Sequence, residues 1–309
     1  MRHVLGVDVG GTSMKAALVA EDGRATDVAR VETPSADGVP AVVERLRGFV
    51  QESARSAGGE LAAAGLVVPG DVDAGAGIAK YSANIGWRDL PLRELVAGDL
   101  GVPVVLDHDV RAAAVAERTL GAARGADDCL IVVIGTGIAS VSVAQGHALL
   151  GATGRAGELG HIPVWPDGEV CACGQRGCLE TYASAAALAR RYAAAGGTAA
   201  RTAQEVIARI GVDAIAAQVW QDAITALGVA LATVVLLDDP GRIVIGGGLS
   251  AAGEVLLAPV RTAVAGRLTW REPAPIVASP LGEQAGRLGA AVLAWRAAGR
   301  TDFDDWPLP

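Results

Sequence analysis

The chain has 309 residues, with 26 Lys and Arg against 34 Asp and Glu, a formal net charge of −8. Nucleic-acid binding relies on concentrated positive charge, and no basic run supplies it here. No stretch reaches 18 consecutive apolar residues, the length that marks a transmembrane helix. Aromatics make up only 4% of the chain, so Ala, Val and Leu must fill the core. Lys15 and Lys80 are the only lysines. With the balance acidic, a phosphorylated ligand is expected to be held by local backbone donors and a metal rather than by a general positive field. Met1–Asp8 reads as a strand running into an Asp and lacks the apolar stretch of a signal peptide, so the cytoplasm is the expected location, with no membrane or nucleic-acid partner.

Residues 3–33 alternate apolar runs with Gly and Asp punctuation, which predicts a three-strand meander over 3–8, 14–20 and 25–31. Apolar residues at helical spacing predict a helix over 40–57. A strand over 61–68 ends at Pro69-Gly70, and a loop-rich stretch runs to about Pro91. A short strand over 104–106 and a helix over 112–120 follow. The order then restarts. Residues 130–135, 139–144 and 148–150 predict a second meander, followed after an insertion by helices near 184–195, 202–210 and 214–237. A strand over 242–245, a helix near 253–267, a strand over 276–278 and a helix near 284–298 complete the pattern. The tail 301–309 is expected to be a surface extension. This is an α/β duplication, with 1–119 plus about 287–309 as a smaller N-terminal lobe and 120–286 as a larger one. Two related lobes would enclose a cleft, a usual place for a ligand.

Three glycine clusters punctuate the strands. Asp8-Val9-Gly10-Gly11-Thr12 follows the first strand directly. Paired glycines let successive N–H groups converge on one anion, and Asp8 could hold a hydrated Mg²⁺ beside phosphates. The same residues also spell an ordinary hairpin turn. Gly135-Thr136-Gly137 occupies the equivalent position in the second meander, and Gly246-Gly247-Gly248 follows the strand over 242–245. Two phosphate turns and a wall free of side chains are what ATP needs. No Walker or Rossmann fingerprint is present.

His161, Cys171, Cys173 and Cys178 lie within 18 residues of one another. One imidazole and three thiolates form a closed tetrahedral set typical of structural zinc, with no position left for water. Cys129 falls in a strand and reads as core. Asp109 precedes a helix expected to start near Arg111, where an Asp is also a common cap. Glu158, His161 and Glu180 flank the cysteine loop and read as hydroxyl ligands.

These motifs resemble the ROK family of sugar kinases and repressors from end to end. Asp8-Val-Gly10-Gly11-Thr12 and Gly135-Thr136-Gly137 are similar to its two phosphate motifs, and Ser82-Ala-Asn84-Ile-Gly86-Trp87 to its sugar loop. Glu158-Leu-Gly160-His161 and Cys171-x-Cys173-Gly174-x-x-Gly177-Cys178-x-Glu180 match its E-x-G-H motif and zinc signature. The resemblance implies two ribonuclease-H-like lobes of the actin and hexokinase type. It makes Asp109 the base facing a sugar 6-hydroxyl, and Asn84, Glu158, His161 and Glu180 hydroxyl ligands. His161 would then ligate zinc with one nitrogen and address the sugar with the other. Gly70 and His108 complete the expected substrate side, and relatives suggest a dimer or tetramer.

The family's Asn-Asp-Ala-Asn is here His108-Asp109-Val110-Arg111. The Asp survives, but an amide that offers donor and acceptor together becomes an imidazole. That leaves glucose, an epimer such as mannose, and amino sugars such as kanosamine or an N-acetylhexosamine open as substrates. Ser13 stands where relatives often carry Lys, and Ala139 and Val141 replace frequent glycines. A non-catalytic sugar sensor or repressor is the alternative class, although the glycine turn at residue 8 leaves no room for a preceding helix-turn-helix.

Overall fold

The computed structural model describes residues 1–306, which fall into two compact α/β units. The first comprises Met1–Arg124, Ala152–Arg155 and the chain from Gln284 onward; the second comprises Gly125–Gly151 and Ala156–Glu283.

In the first unit, β1 (Arg2–Val9), β2 (Ser13–Ala20) and β3 (Ala25–Glu32) form the expected meander, and α1 (Val39–Arg55) leads to β4 (Glu60–Val68). The stretch expected to be loop folds into a small antiparallel sheet of β5 (Asp71–Asp73), β6 (Ile78–Tyr81) and β7 (Arg88–Leu90). Strands of three or four residues hold too few positions for alternation to show. Then come α2 (Leu92–Leu100), β8 (Val104–His108) and α3 (Asp109–Leu120). The main sheet has the order β3-β2-β1-β4-β8, with β1, β4 and β8 parallel.

The second unit repeats this plan. Its strands are β9 (Cys129–Ile134), β10 (Ile138–Ala144), a two-residue β11 (His147–Ala148), β12 (Ile243–Gly246) and β13 (Ile276–Ala278), in the order β11-β10-β9-β12-β13. Its helices are α4 (Leu179–Ala183), α5 (Ala185–Ala194), α6 (Ala203–Ile207), α7 (Ala214–Asp238) and α8 (Glu254–Ala265). The two sheets share one strand order, so the duplication inferred from punctuation is present in the topology. By length and composition α7 could cross a membrane, yet 61% of its apolar window is buried within the protein. Leu227, Leu231 and Val235 of α7 pack with Leu130, Val132 and Ile243 of the sheet, and Cys129 is buried in β9 as expected.

The final helix, Ala285–Ala297, returns to the first unit and lies on β1, β4 and α3 at backbone contact. A Cβ on Gly65 would stand 1.9 Å from the Ala290 carbonyl oxygen, and one on Gly289 1.9 Å from that of Ala112. Gly65→Ala is therefore expected to force the helix off the sheet. Overpacking of this kind costs roughly 1–3 kcal/mol or more, which thermal unfolding would register as a drop of several degrees. An unchanged melting temperature would show that the helix seat is compliant. Beyond the helix, the expected surface extension is corrected in part. Phe303 and Trp306 are buried and stack edge to face, and Trp306 Nε1 donates to the Glu21 carbonyl at 3.2 Å. Two large aromatics outweighed the polar residues around them. Residues 307–309 of that tail lie outside the described residues.

Candidate functional site

In the first unit the expected residues leave the carboxyl ends of the parallel strands, where open α/β sheets place their ligands. Asp8 sits near the end of β1 and pairs in register with Val67, which pairs with Asp107. The Gly10-Gly11-Thr12 turn joins β1 to β2, Gly70 follows β4, and His108 ends β8. The Asp8 carboxylate lies against the first turn of the final helix, where a Cβ on Gly286 would come within 2.9 Å of it. That end of a helix favours negative charge. The Gly10 and Gly11 carbonyls accept hydrogen bonds from the Thr33 and Ser35 hydroxyls, each at 2.7 Å. Those two bonds fix the peptide planes of the turn. A Cβ on Gly11 would also meet the Asn84 side chain at 3.1 Å, so the Gly10-Gly11 turn and the loop that carries Asn84 adjoin. Gly70, at φ +99°, lies so close to Tyr81 that a Cβ would reach its carbonyl oxygen at 2.1 Å. Its need for glycine is thereby explained as support for the loop that carries Asn84.

The helix expected near Arg111 starts at Asp109, and its cap is His108, whose Nδ1 lies 3.2 Å from the Val110 N–H. That same nitrogen is 3.2 Å from Asp109 Oδ1. An Asn would cap as well, so the replacement keeps the cap while changing the polar edge beside Asp109. Burial pushes the Asp109 carboxyl up to about 6, opposed by the Val110 N–H and by the charge of Arg111. The side chain nevertheless keeps 31% of its surface open. It is deep enough to lose solvation as an ion and open enough to meet a substrate. Arg111 Nε donates to Asp107 at 2.7 Å, while its Nη atoms donate to the Val72 and Gly154 carbonyls at 3.2 and 3.3 Å. The guanidinium thus braces the first turn of α3 from below.

In the second unit, β9, β12 and β13 are parallel, with Val133 in register with Gly246. Gly135-Thr136-Gly137 follows β9, and Gly246-Gly247-Gly248 closes β12, so both clusters share one sheet edge. The Gly135 N–H donates to the Gly137 carbonyl at 2.9 Å, closing a tight turn. Glu158 directly precedes a 3-10 turn at Leu159–His161, and Glu180 stands in the first turn of α4.

One ligand atom from each of His161, Cys171, Cys173 and Cys178 lies within 4.8 Å of the others. Cys173 and Cys178 Sγ are 3.7 Å apart, and Cys171 Sγ is 3.8 Å from His161 Nδ1. Two thiolates each about 2.3 Å from one tetrahedral zinc stand about 3.8 Å apart, so the donor set fits that ion. Burial and the neighbouring Cys173 and Cys171 push the Cys178 thiol up to about 12. Burial also acts to raise Cys171, but the Cys173 N–H, Thr181 and His161 outweigh it and bring that thiol down to about 7. Three sulfurs this close cannot all ionise without a cation among them. His161 Nδ1 faces the thiols while Nε2 faces Glu158 Oε2 at 3.9 Å. The two ring nitrogens thus face different groups, one the thiols and the other the Glu158 carboxylate. Gly177, at φ +72°, lets the loop pass Trp165, whose carbonyl oxygen a Cβ would meet at 1.6 Å.

The sequence profile of the ROK family matches residues 4–297. The chain belongs to the ROK family. It is similar to the glucokinase of Thermotoga maritima, 36% identical over 308 residues that span 94% of this chain and 96% of that one. It resembles a ROK family glucokinase from Streptomyces griseus solved in complex with glucose and AMPPNP, with a TM-score of 0.84 and 33% identity over 95% of this chain and 99% of that one. It also shares 31% identity over 250 residues with the DNA-binding transcriptional dual regulator NagC of Escherichia coli, covering 77% of this chain and 61% of that protein. Within this ROK chain, Thr33, Ser35, Asp107 and Arg111 escaped sequence reasoning as supports of the site. Only Arg111 carried a signal, as a departure from the family's Asn.

Proposed function

We propose that this ROK protein transfers the γ-phosphoryl group of ATP to the 6-hydroxyl of a hexose, with Asp109 as the base. Its kinase class rests on full-length similarity to glucokinases. The observation that carries the mechanism is the Asp109 carboxyl, lifted to about 6 at the carboxyl end of β8, on the same sheet edge as the Gly10-Gly11 turn. Phosphoryl transfer passes through a loose transition state, so positioning and charge stabilisation do most of the catalysis. Asp109 orients the hydroxyl and receives its proton as the new P–O bond forms and the γ-phosphate leaves ADP. Asn84, His108, Glu158, His161 and Glu180 bind the sugar's other hydroxyls, with Gly70 supporting the loop. Gly10, Gly11 and Thr12, Gly135, Thr136 and Gly137, and Gly246, Gly247 and Gly248 receive ATP, whose Mg²⁺ Asp8 would hold. That ion, when bound, neutralises phosphate charge. Zinc at His161, Cys171, Cys173 and Cys178 would fix the loop and leaves no position for a reacting water. The acidic chain is read as cytoplasmic and homo-oligomeric, without nucleic-acid or membrane partners.

The substrate is a hexose whose hydroxyls suit His108: glucose, mannose, or an amino sugar such as kanosamine or an N-acetylhexosamine. A screen of these sugars with Mg-ATP, read by coupled ADP release, is expected to show one preferred by a large factor, because sites built on buried polar partners discriminate strongly. If no sugar stimulates ADP release, the kinase reading fails and the non-catalytic sensor takes its place.

A further inference from the structure

The link between the cysteine loop and the second glycine turn assigns Glu180 a second task. Its Oε2 accepts a hydrogen bond from the Ile138 N–H at 2.8 Å, at the residue that ends the Gly135-Thr136-Gly137 turn. Gly137 lies so close that a Cβ there would stand 2.4 Å from the same oxygen and 3.3 Å from the carboxyl carbon. A second anchor comes from the next helix, where the Ala185 N–H donates to the Gly135 carbonyl at 2.8 Å. Both anchors belong to one continuous segment. Cys178 occupies the position before α4, Glu180 stands in its first turn, and Ser184 caps α5, accepting from the Ala187 N–H at 3.1 Å. Between Cys178 and Ala185 every residue therefore lies in a helix or at a helix-cap position, so the thiol cluster, Glu180 and the turn are joined without an intervening loop.

We propose that Glu180 is a positioning residue for the nucleotide-side glycine turn as well as a sugar ligand, so that sugar and nucleotide binding are energetically linked through one carboxylate. The inference rests on the reading above, in which Glu180 meets a sugar hydroxyl and Gly135-Thr136-Gly137 meets phosphate. One oxygen holds the turn, which leaves Oε1 as the one to meet a hydroxyl. A sugar that tightens the Glu180 rotamer tightens the Ile138 bond with it, and the effect is reciprocal by thermodynamic necessity.

Calorimetry on the intact protein separates the two tasks, with AMPPNP titrated in the absence of sugar and glucose in the absence of nucleotide. Glu180→Ala removes the acceptor of a charge-assisted hydrogen bond, and AMPPNP affinity is expected to fall by roughly tenfold. Glu180→Gln retains an amide oxygen that can accept from Ile138, so its AMPPNP affinity should stay within about threefold of wild type, while its glucose affinity falls with the lost charge. Wild-type AMPPNP affinity in Glu180→Ala would overturn the positioning role. Wild-type glucose affinity in both variants would instead overturn the sugar-ligand reading and leave the positioning role to the AMPPNP result. Gly137→Ala provides an independent test should Glu180→Ala not fold. It crowds the carboxylate from the nucleotide side, and glucose affinity without nucleotide should drop severalfold. Unchanged glucose affinity there would also overturn the link.

Discussion

Asp109→Asn is expected to lower kcat by roughly 10² to 10⁴, the usual contribution of a general base, while leaving sugar affinity within a few fold of wild type. The amide keeps the size of the carboxylate and an oxygen that can accept from the Val110 N–H at 2.7 Å, and loses the negative charge and the ability to take a proton. Two further measurements separate this role from a structural one. The wild-type kcat/KM should fall on the acid side with an apparent pKa near 6, the value to which burial lifts this carboxyl, and that limb should be missing from the residual activity of the variant. Stability should move the other way. A carboxyl whose proton is held more tightly in the folded state loses stability as pH rises from its unfolded value near 4 through about 6. Asn has no such penalty. The variant should therefore melt no lower than wild type at pH 7 to 8, with the gap closing below about pH 4. A variant with normal turnover would remove Asp109 from the mechanism; one that melts well below wild type at neutral pH would make its effect structural.

The second large effect concerns the thiol cluster. Cys178→Ser, or a strong chelator, is expected to abolish measurable sugar binding, and metal analysis should find one zinc per chain in the untreated protein. Structural zinc sites supply about 10–16 kcal/mol of apparent binding energy in small domains, and here that energy holds a loop with little packing of its own, since Cys173 and its neighbours from Ala172 to Arg176 are exposed. The first unit contains none of the four ligands. A heat-capacity trace of the chelated protein should thus show the second unit unfolding at lower temperature while the first keeps its own transition. Retention of sugar affinity after complete zinc removal would show that the loop stands on its hydrogen bonds alone.

Much of this was legible in the sequence because its chemistry is local. Three cysteines and a histidine within 18 residues specify a metal site before any fold is known, and glycine pairs after apolar strands specify turns. The shared strand order of the two sheets was likewise visible as a restart of the same punctuation. What stayed hidden depends on distance along the chain. Thr33 and Ser35 hold the turn at Gly10 and Gly11 from more than twenty residues away, and no periodicity announces a hydroxyl whose partner is a carbonyl. The three-residue strands β5 and β7 were too short to carry a period. His108 as the cap of α3 was hidden because imidazole is an uncommon cap, and a neighbouring Asp offered itself for the role. The bond from Ile138 to Glu180 spans 42 residues and joins two motifs that each made sense alone. The ROK chain is a sugar kinase whose motifs were readable one by one, and whose couplings were not.

The backbone contact between the final helix and the first sheet bears on how the protein is made. Residues 1–124 leave the ribosome first, but the helix that covers Gly6, Gly65 and Ala112 lies at 285–297. The intervening second unit can complete its own sheet while that helix is still being synthesised, because all five of its strands lie between Cys129 and Ala278. The half translated first is consequently the half finished last. Until its helix arrives, the sheet face at Gly6 and Gly65 lacks its cover, and transiently exposed apolar surface of that kind is what makes a partly made domain prone to aggregation.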